Sequence, residues 1–174
     1  DNKDYCEHAL FLATQAREPA RHYEHAAIGY NYRMSNVAAA IGRGQLRCLS
    51  ERVEARRRVF HRYQEKLGDI PGLSFIPHPS WGSPNCWLTC IVLDPAQAPT
   101  TSTAVIDALE GENIEARPLW KPMTAQPVFA RAPSFDNDLA LKLFETGVCL
   151  PSGSALTEED IERAAACIRS AAGC

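Results

Sequence analysis

The sequence predicts an α/β fold, in which helices and strands alternate along most of the chain. Two observations support this prediction. Apolar residues recur every three or four positions in some segments and form short continuous runs in others, which distinguishes helices from strands. The segments follow one another as helix, strand, strand, helix, strand, helix, strand, helix. Alternation of this kind is typical of a small layered α/β sandwich.

The N-terminal part of the chain is predicted to be mainly helical, beginning with a short helix over residues 5–16. Ser35 and Asn36 are favourable N-cap residues for a long helical region. Apolar residues recur at helical spacing over residues 41–67, with a break near Ser50, where a new cap is available. We interpret the outer face as exposed to solvent or to another subunit rather than as a nucleic-acid site. This face comprises Glu51, Arg52, Glu54, Arg56, Arg57, Arg58 and Arg62.

The rest of the chain is predicted to alternate between strands and helices. Bulky apolar residues fill both faces of residues 87–93, which is typical of a buried strand. Thr157 and Asp160 have the spacing of a capping box at the start of the last helix. The segment between Leu119 and Leu139 is longer than most loops, which indicates a functional or partner-bound segment. Further strands are predicted over residues 73–76, 114–119 and 148–150, and further helices over residues 101–111 and 139–146.

The composition excludes several classes of protein. The 174 residues are 45% hydrophobic and 22% charged, values typical of a globular chain and not of a disordered one. The formal net charge of −3 provides no global positive field to attract nucleic acid or anionic lipid. The sequence contains neither a membrane-spanning apolar run nor the apolar core of a signal peptide. We therefore expect a cytoplasmic protein, or a piece of one that begins part-way through its sequence.

The chain contains seven cysteines, and their spacings include no C-x-x-C pair. We expect reduced, buried thiols that act as small hydrophobic side chains, with a zinc site or a disulfide framework as the alternatives. His22 and His25 are the only closely spaced histidines. We expect them to be polar loop residues that face a neighbouring chain rather than metal ligands.

Residues 29–36 place an amide, a guanidinium and two phenols directly before a predicted helix start. Helix starts favour anions, and arginine binds phosphate through two hydrogen bonds. Asn31 and Arg33 are therefore candidates for binding a phosphate group. The alternative is a helix-entry segment in which Arg33 pairs with a carboxylate.

A second candidate site lies on the proline-stiffened loop of residues 117–123. Arg117, Trp120 and Lys121 are side chains that suit a phosphorylated or stacked ligand. The alternative is a loop that forms an interface.

Both candidate segments belong to longer motifs. The first reads Gly29-Tyr30-Asn31-Tyr32-Arg33-Met34-Ser35-Asn36, followed by Ala39-Ala40-Ile41-Gly42 and Gln45-Leu46. The others read Arg117-Pro118-Leu119-Trp120-Lys121-Pro122-Met123, Gln126-Pro127-Val128-Phe129 and Cys149-Leu150-Pro151-Ser152-Gly153. Together they resemble the DegT/DnrJ/EryC1/StrS family of pyridoxal-phosphate-dependent aminotransferases, which act on keto sugars carried on nucleotides. Thr124 departs from the family pattern, which often has histidine there.

A narrower resemblance is to the branch that makes 4-amino sugars from UDP-linked 4-keto sugars. It rests on Ala13-Thr14-Gln15-Ala16-Arg17-Glu18, His22-Tyr23-Glu24-His25, Asn85 and Trp87-Leu88-Thr89. The implied activity is transfer of an amino group, from glutamate, to C4 of such a sugar during the biosynthesis of surface polysaccharide or glycan. The alternative is a noncatalytic module for dimerisation and nucleotide-sugar binding that pairs with a full-length subunit.

The resemblance also implies a fold and a division of the chain. The fold is the small C-terminal α/β domain of a fold-type-I pyridoxal-phosphate-dependent transferase, preceded by the end of the large domain. Residues 1–35 correspond to the end of the large domain and an active-site loop, and residues 36–68 to long interdomain or dimer helices. Residues 69–174 correspond to the small domain.

The family's site residues transfer to this chain position by position. The cofactor of the complete enzyme is pyridoxal 5'-phosphate, and Asn31 is expected to reach its phosphate across a homodimer, with Arg33 as a weaker candidate. Arg117 and Trp120 are expected to bind the nucleotide sugar. The lysine that holds the cofactor is expected upstream of this chain, so we expect the chain alone to be inactive and to contain neither a catalytic residue nor a metal ligand. The lysines that do not occupy that motif are Lys3, Lys66, Lys121 and Lys142.

Overall fold

A computed structural model describes residues 2–135 and 137–174, and the chain divides into two compact units, Asp1–Cys48 and Leu49–Cys174. The first unit contains helix α1, Lys3–Ala13, and helix α2, Asn36–Arg47. The side-chain oxygen of Asn2 accepts a hydrogen bond from the backbone N–H of Tyr5 and caps α1. The Ser35 hydroxyl accepts one from Ala38 and caps α2, which confirms the cap predicted at Ser35.

The two predicted N-terminal helical regions are present, with different limits. Helix α1 ends three residues before the predicted end, because Gln15 and Ala16 take positive φ angles of 71° and 49°, which an α-helix does not contain. The long region breaks at Cys48, close to the predicted point, and continues as α3, Leu49–Leu67. Ser50 lies in the first turn of α3 and is therefore not its N-cap.

The second unit is built on a four-stranded antiparallel sheet with the order β1-β2-β4-β3. Helices α3, α4 and α6 pack against one face, where they contribute to a single hydrophobic core. Along β2, buried Thr89, Ile91 and Leu93 alternate with half-buried Cys90 and Val92, so the strand has a core face and an outer face. The elements are β1 Leu73–Phe75, β2 Thr89–Leu93, α4 Ser102–Gly111, β3 Arg117–Pro118, α5 Leu139–Thr146, β4 Gly147–Leu150 and α6 Glu158–Ala172.

Three strands are shorter than the sequence predicts, and β1 ends one residue early, at Phe75. Strand β2 begins at Thr89 rather than at residue 87, because residues 87–88 form a bend and Cys86, directly before them, has a φ angle of +51°. Strand β3 pairs only at Arg117–Pro118, and proline has no backbone N–H with which to extend a ladder. The long segment that follows it contains two 3₁₀ turns, Met123–Ala125 and Pro127–Phe129.

The predicted capping box of the last helix is confirmed. The Thr157 hydroxyl accepts a hydrogen bond from Asp160 N–H at 3.2 Å, and the Asp160 carboxylate accepts one from Thr157 N–H at 2.9 Å. The hydrogen bond from Thr157 N–H lowers the pKa of the Asp160 carboxyl, and so does a second one that the Thr157 hydroxyl donates to the same carboxylate at 2.8 Å.

Most of the arginine-rich face of α3 is exposed, in line with the sequence interpretation, but Arg56 and Arg57 are half-buried. Arg56 Nη1 donates to the carbonyl of Trp87 at 2.5 Å, and Arg57 donates to the carbonyl of Pro84 at 3.0 Å and the hydroxyl of Ser83 at 2.7 Å. The two arginines therefore hold the loop that leads into β2. Arginine suits this position because its long stem packs while its planar head satisfies several acceptors.

All seven cysteines are free thiols, but the expectation that they are buried is wrong for six of them. Cys86 is buried, Cys6 and Cys174 are exposed, and the remainder are intermediate. Within residues 2–135 and 137–174, no helix is long and apolar enough to cross a membrane.

Candidate functional site

The segment that carries Asn31 is held by backbone pairing with the end of α1. Tyr30 N–H donates to the carbonyl of Leu12 at 2.8 Å, Gln15 N–H donates to Tyr30 at 3.0 Å, and Tyr32 N–H donates to Ala13 at 3.1 Å. Asn31 lies opposite Thr14 in an isolated antiparallel bridge. The backbone on both sides of Asn31 is therefore fixed within the first unit.

Gly29 permits this pairing because the chain passes very close to residues 15 and 16 at this point. A Cβ at position 29 would lie 2.2 Å from Ala16 N and 2.3 Å from Gln15 C, both of them backbone atoms. Any other residue would force the two segments apart. The glycine that begins the motif thus has a steric role in positioning Asn31.

Asn31 and Arg33 both have exposed side chains. Asn31 lines a shallow depression of about 520 Å³ together with Gln15, Tyr23 and His25. Among the described residues, the Asn31 amide and the Arg33 guanidinium have no hydrogen-bond or ion-pair partner, so Arg33 does not pair with a carboxylate in this chain. These polar groups are free to bind a ligand or another chain.

The two histidines of this loop have separate partners. His22 Nε2 lies 2.7 Å from a carboxylate oxygen of Glu24, and His25 Nδ1 lies 2.9 Å from the carbonyl of Gln15. Among the described residues, no three or more His, Cys, Asp or Glu side chains are grouped so that they could hold a metal ion.

The second unit contains a cavity of about 790 Å³ at its β3 edge. It is lined by both predicted substrate residues, Arg117 and Trp120, and by the outward-facing Cys149 of β4. Arg163 and Asp160 of α6 also line it, and sequence reasoning did not identify either of them as a cavity residue. Their helical spacing places them near one another, but only the tertiary fold brings α6 to this edge.

The Arg117 guanidinium is paired with a carboxylate of its own strand segment. Its Nε lies 2.7 Å and its Nη2 lies 2.5 Å from Oε1 of Glu115, and both side chains are about three-quarters exposed. In that solvent-exposed position the pair contributes little stability, so a stronger anion such as a diphosphate competes readily with Glu115.

Trp120 belongs to an aromatic pair that the sequence did not reveal. Its ring centroid lies 5.9 Å from that of Trp87, with an interplanar angle of 33°. Both indoles remain more than half exposed. The Trp87 backbone is held by Arg56 and by the Asn85 side chain, which accepts a hydrogen bond from Trp87 N–H at 3.0 Å. Lys121 is exposed and does not line the cavity.

The four predicted site residues therefore form two groups, each positioned within its own unit. Asn31 and Arg33 lie on the paired segment of the first unit, and Arg117 and Trp120 lie at the cavity of the second. The sequence profile of the DegT/DnrJ/EryC1/StrS aminotransferases matches residues 1–169, nearly the whole chain. The chain belongs to this family. Its fold is part of a fold-type-I aminotransferase.

Relatives in the family are similar over most of this chain. EpsN of Bacillus subtilis, assigned as a pyridoxal phosphate-dependent aminotransferase, is 48% identical over 158 residues, which are 88% of this chain and 40% of EpsN. GDP-perosamine synthase of Caulobacter vibrioides is 35% identical over 90% of this chain and 42% of its own length. The crystal structure of the aminotransferase TlmJ from Streptoalloteichus hindustanus superposes with a TM-score of 0.81 at 24% identity, covering 98% of this chain and 45% of TlmJ. The chain thus spans less than half the length of these relatives.

Proposed function

We propose that the protein to which this chain contributes transfers an amino group from glutamate to C4 of a UDP-linked keto sugar, for surface polysaccharide or glycan biosynthesis. Membership of the aminotransferase family is the observation that supports this proposal most strongly. The motif segments shared with the UDP-sugar branch favour UDP, whereas three of the relatives with lower identity are named for a GDP-linked sugar.

Pyridoxal phosphate is the cofactor of the family's aminotransferases, and when bound it carries the amino group from donor to acceptor. Its phosphate is a dianion that needs hydrogen-bond donors. Asn31 offers an exposed amide donor and Arg33 an exposed guanidinium, and neither has a partner among the described residues. The donor set therefore fits the phosphate group, and we assign both residues to it, with Asn31 serving the facing subunit of a homodimer.

The cavity of the second unit has the size and chemistry for a nucleotide sugar. Ligand pockets of roughly 300–1,000 Å³ hold molecules of this class, and this one measures about 790 Å³. Arg117 and Arg163 supply cations for the diphosphate, and Trp120 supplies an aromatic face for stacking. We assign Arg117 and Trp120 to substrate binding.

None of the chain's lysines occupies the family's cofactor motif, and two are already engaged in ion pairs. Lys66 pairs with Glu158 and Glu162, and Lys3 pairs with Glu7. We infer that the cofactor-binding lysine comes from outside these 174 residues. We infer that this chain alone does not catalyse amino transfer, and that it provides the Asn31 loop and the substrate cavity to a complete enzyme.

A chimera in which this chain replaces the matching part of EpsN tests the proposal. With glutamate and a UDP-linked 4-keto sugar, we expect the chimera to form the 4-amino sugar, while the chain alone forms none. Trp120→Leu should raise KM for the sugar about tenfold, the effect of losing one stacking contact of about 1 kcal/mol or more.

Trp81 provides the matched control, because it is a tryptophan of the second unit that is 89% exposed and does not line the cavity. Trp81→Leu should leave KM unchanged. Amino transfer only to GDP-linked sugars would refute the choice of nucleotide. No amino transfer by a chimera that folds and binds cofactor would favour the noncatalytic module.

A further inference from the structure

Cys90 and Cys149 lie directly opposite one another on the two central strands of the sheet. They are register partners in the antiparallel β2–β4 pair, and their Sγ atoms are 3.8 Å apart. Both side chains lie on the sheet face turned away from the helical core, between core-facing neighbours such as Ile91 and Val148. The sheet thus presents two free thiols in contact on its outer face.

The backbone at this position already suits a disulfide. Directly opposed residues of antiparallel strands have Cα atoms about 4.5–5.5 Å apart, within the range of about 4.4–6.8 Å found for disulfide-bonded cysteines. The two sulfur atoms are at van der Waals distance. Closing the S–S bond therefore requires rotation of the side chains and no displacement of either strand.

The two thiols of the pair differ in acidity. The hydrogen bond between the two sulfur atoms lowers the pKa of the Cys149 thiol, and the same hydrogen bond, with burial, raises the pKa of Cys90. Cys149 is thus the more acidic member of the pair, and the thiolate is the nucleophile in thiol chemistry. Cys149 also borders the 790 Å³ cavity, through which a small reagent reaches it.

We propose that Cys90 and Cys149 form a modification site, a dithiol that small peroxides oxidise to a disulfide across β2 and β4. The Cys149 thiolate attacks one oxygen of hydrogen peroxide, the O–O bond breaks, and Cys149 becomes a sulfenic acid as hydroxide leaves and is protonated to water. Cys90 then attacks the Cys149 sulfur, the S–S bond forms, and a second water leaves. The two thiols lose two electrons, which reduce the peroxide, and a dithiol reductant reverses the reaction.

The proposal does not depend on the proposed enzymatic function, because it rests on the register of the two cysteines, the contact of their sulfur atoms and the position of Cys149 at the cavity. A disulfide here would draw the Cys149 sulfur towards Cys90 and away from the carbonyl of Pro118, 4.0 Å away. It would also connect the two strands at the centre of the sheet.

The test uses the 174-residue chain carrying Cys6→Ser and Cys174→Ser, which removes the two exposed thiols. After brief treatment with hydrogen peroxide, the protein is denatured, alkylated and digested, and its peptides are mapped by mass spectrometry. We expect two fewer alkylated thiols and one cross-linked peptide pair containing Cys90 and Cys149. Dithiothreitol should restore both alkylations.

Three further variants make the result specific. Cys90→Ser and Cys149→Ser should each abolish the cross-linked product, whereas Cys167→Ser, at another half-buried cysteine, should leave it unchanged. If Cys149 and Cys90 are alkylated in full while other thiols are oxidised, the proposal is wrong. It is also wrong if the cross-link joins different cysteines. Both results are read from the chain that carries only Cys6→Ser and Cys174→Ser, so they remain decisive even where a further variant fails to fold.

Discussion

Asn31 has a side chain that is exposed and a backbone that is fixed. Its neighbours Tyr30 and Tyr32 form hydrogen bonds to the end of α1, and their rings stack with centroids 5.1 Å apart. The Asn31 amide contributes to none of these contacts. A residue with this combination affects the fold little through its side chain and presents a polar group in a defined place.

We predict that Asn31→Asp weakens cofactor binding by the EpsN chimera far more than Asn31→Ser does. An aspartate loses the donor and places a negative charge beside the dianionic phosphate, whereas serine retains a hydroxyl donor. The loss of a hydrogen bond to a charged group corresponds to about ten- to a hundredfold in affinity for the aspartate variant. Cofactor affinity and melting temperature are measured together for both variants.

The melting temperatures separate a binding role from a structural one. Both variants should melt within about 1–2 °C of the parent, since surface substitutions away from special features change stability by about 0.5 kcal/mol or less. Equal cofactor retention in the two variants, or a loss of stability that parallels the loss of binding, would show that Asn31 is only a helix-entry residue.

At the scale of elements, the C-terminal ends of α3 and α6 are connected by one arginine. Arg169 binds both carboxylate oxygens of Asp69, at 2.7 and 2.9 Å, and donates to the carbonyl of Lys66 at 2.8 Å. The Lys66 carbonyl lies in the last turn of α3, where helical carbonyls lack partners within the helix. Arg169 therefore satisfies an exposed helix end and fixes the turn that leads to β1.

We predict that, because of this ion pair, the free energy of unfolding falls more steeply with decreasing pH than it does in a variant that lacks the Asp69 carboxylate. The hydrogen bond from Arg169 lowers the pKa of Asp69 to about 2, whereas an unfolded aspartate titrates near its ordinary value of about 4. Between these values the unfolded chain binds the proton and the folded chain does not. The stabilisation is thus complete above about pH 4 and is lost as pH falls towards 2.

Denaturant unfolding of the parent and of Asp69→Asn at pH 7, 4 and 2 measures this effect. The stability difference between the two proteins should be largest at pH 7 and should shrink between pH 4 and pH 2. Asp107→Asn, on the exposed side of α4, is the matched control and should show no such convergence. A stability difference between parent and Asp69→Asn that stays constant down to pH 2 would mean that protonation of Asp69 is not linked to folding.

These elements show which parts of the structure local sequence determines. The caps at Ser35 and Thr157 were predictable because a capping residue acts on its own helix within three residues. The contacts Trp87–Trp120 and Cys90–Cys149 were not, because they depend on which strands are neighbours and in which register. The same holds for Arg56, whose acceptor lies 31 residues further along the chain. Local patterns therefore located the candidate residues, and the tertiary structure supplied their neighbours.

At the scale of the whole molecule, the first unit leaves many large apolar side chains in contact with solvent. Helix α2 exposes Val37, Ile41 and Leu46 by 71%, 61% and 68% respectively. Tyr32 and Met34, directly before it, are at least three-quarters exposed. Apolar surface concentrated in this way on a short segment is typical of an interface with another chain or domain.

We predict that the 174-residue chain forms dimers or larger assemblies through α2 rather than remaining monomeric. Burying one such side chain contributes about 1.5–3 kcal/mol, so Ile41→Glu should weaken association by about ten- to a hundredfold. Val128→Glu, at an equally apolar and 81% exposed position of the second unit, is the matched control and should associate like the parent. Light scattering coupled to size-exclusion chromatography over a range of concentrations measures the mass. A parent chain that remains monomeric at high concentration would refute self-association, and equal effects of the two substitutions would refute the assignment of the interface to α2.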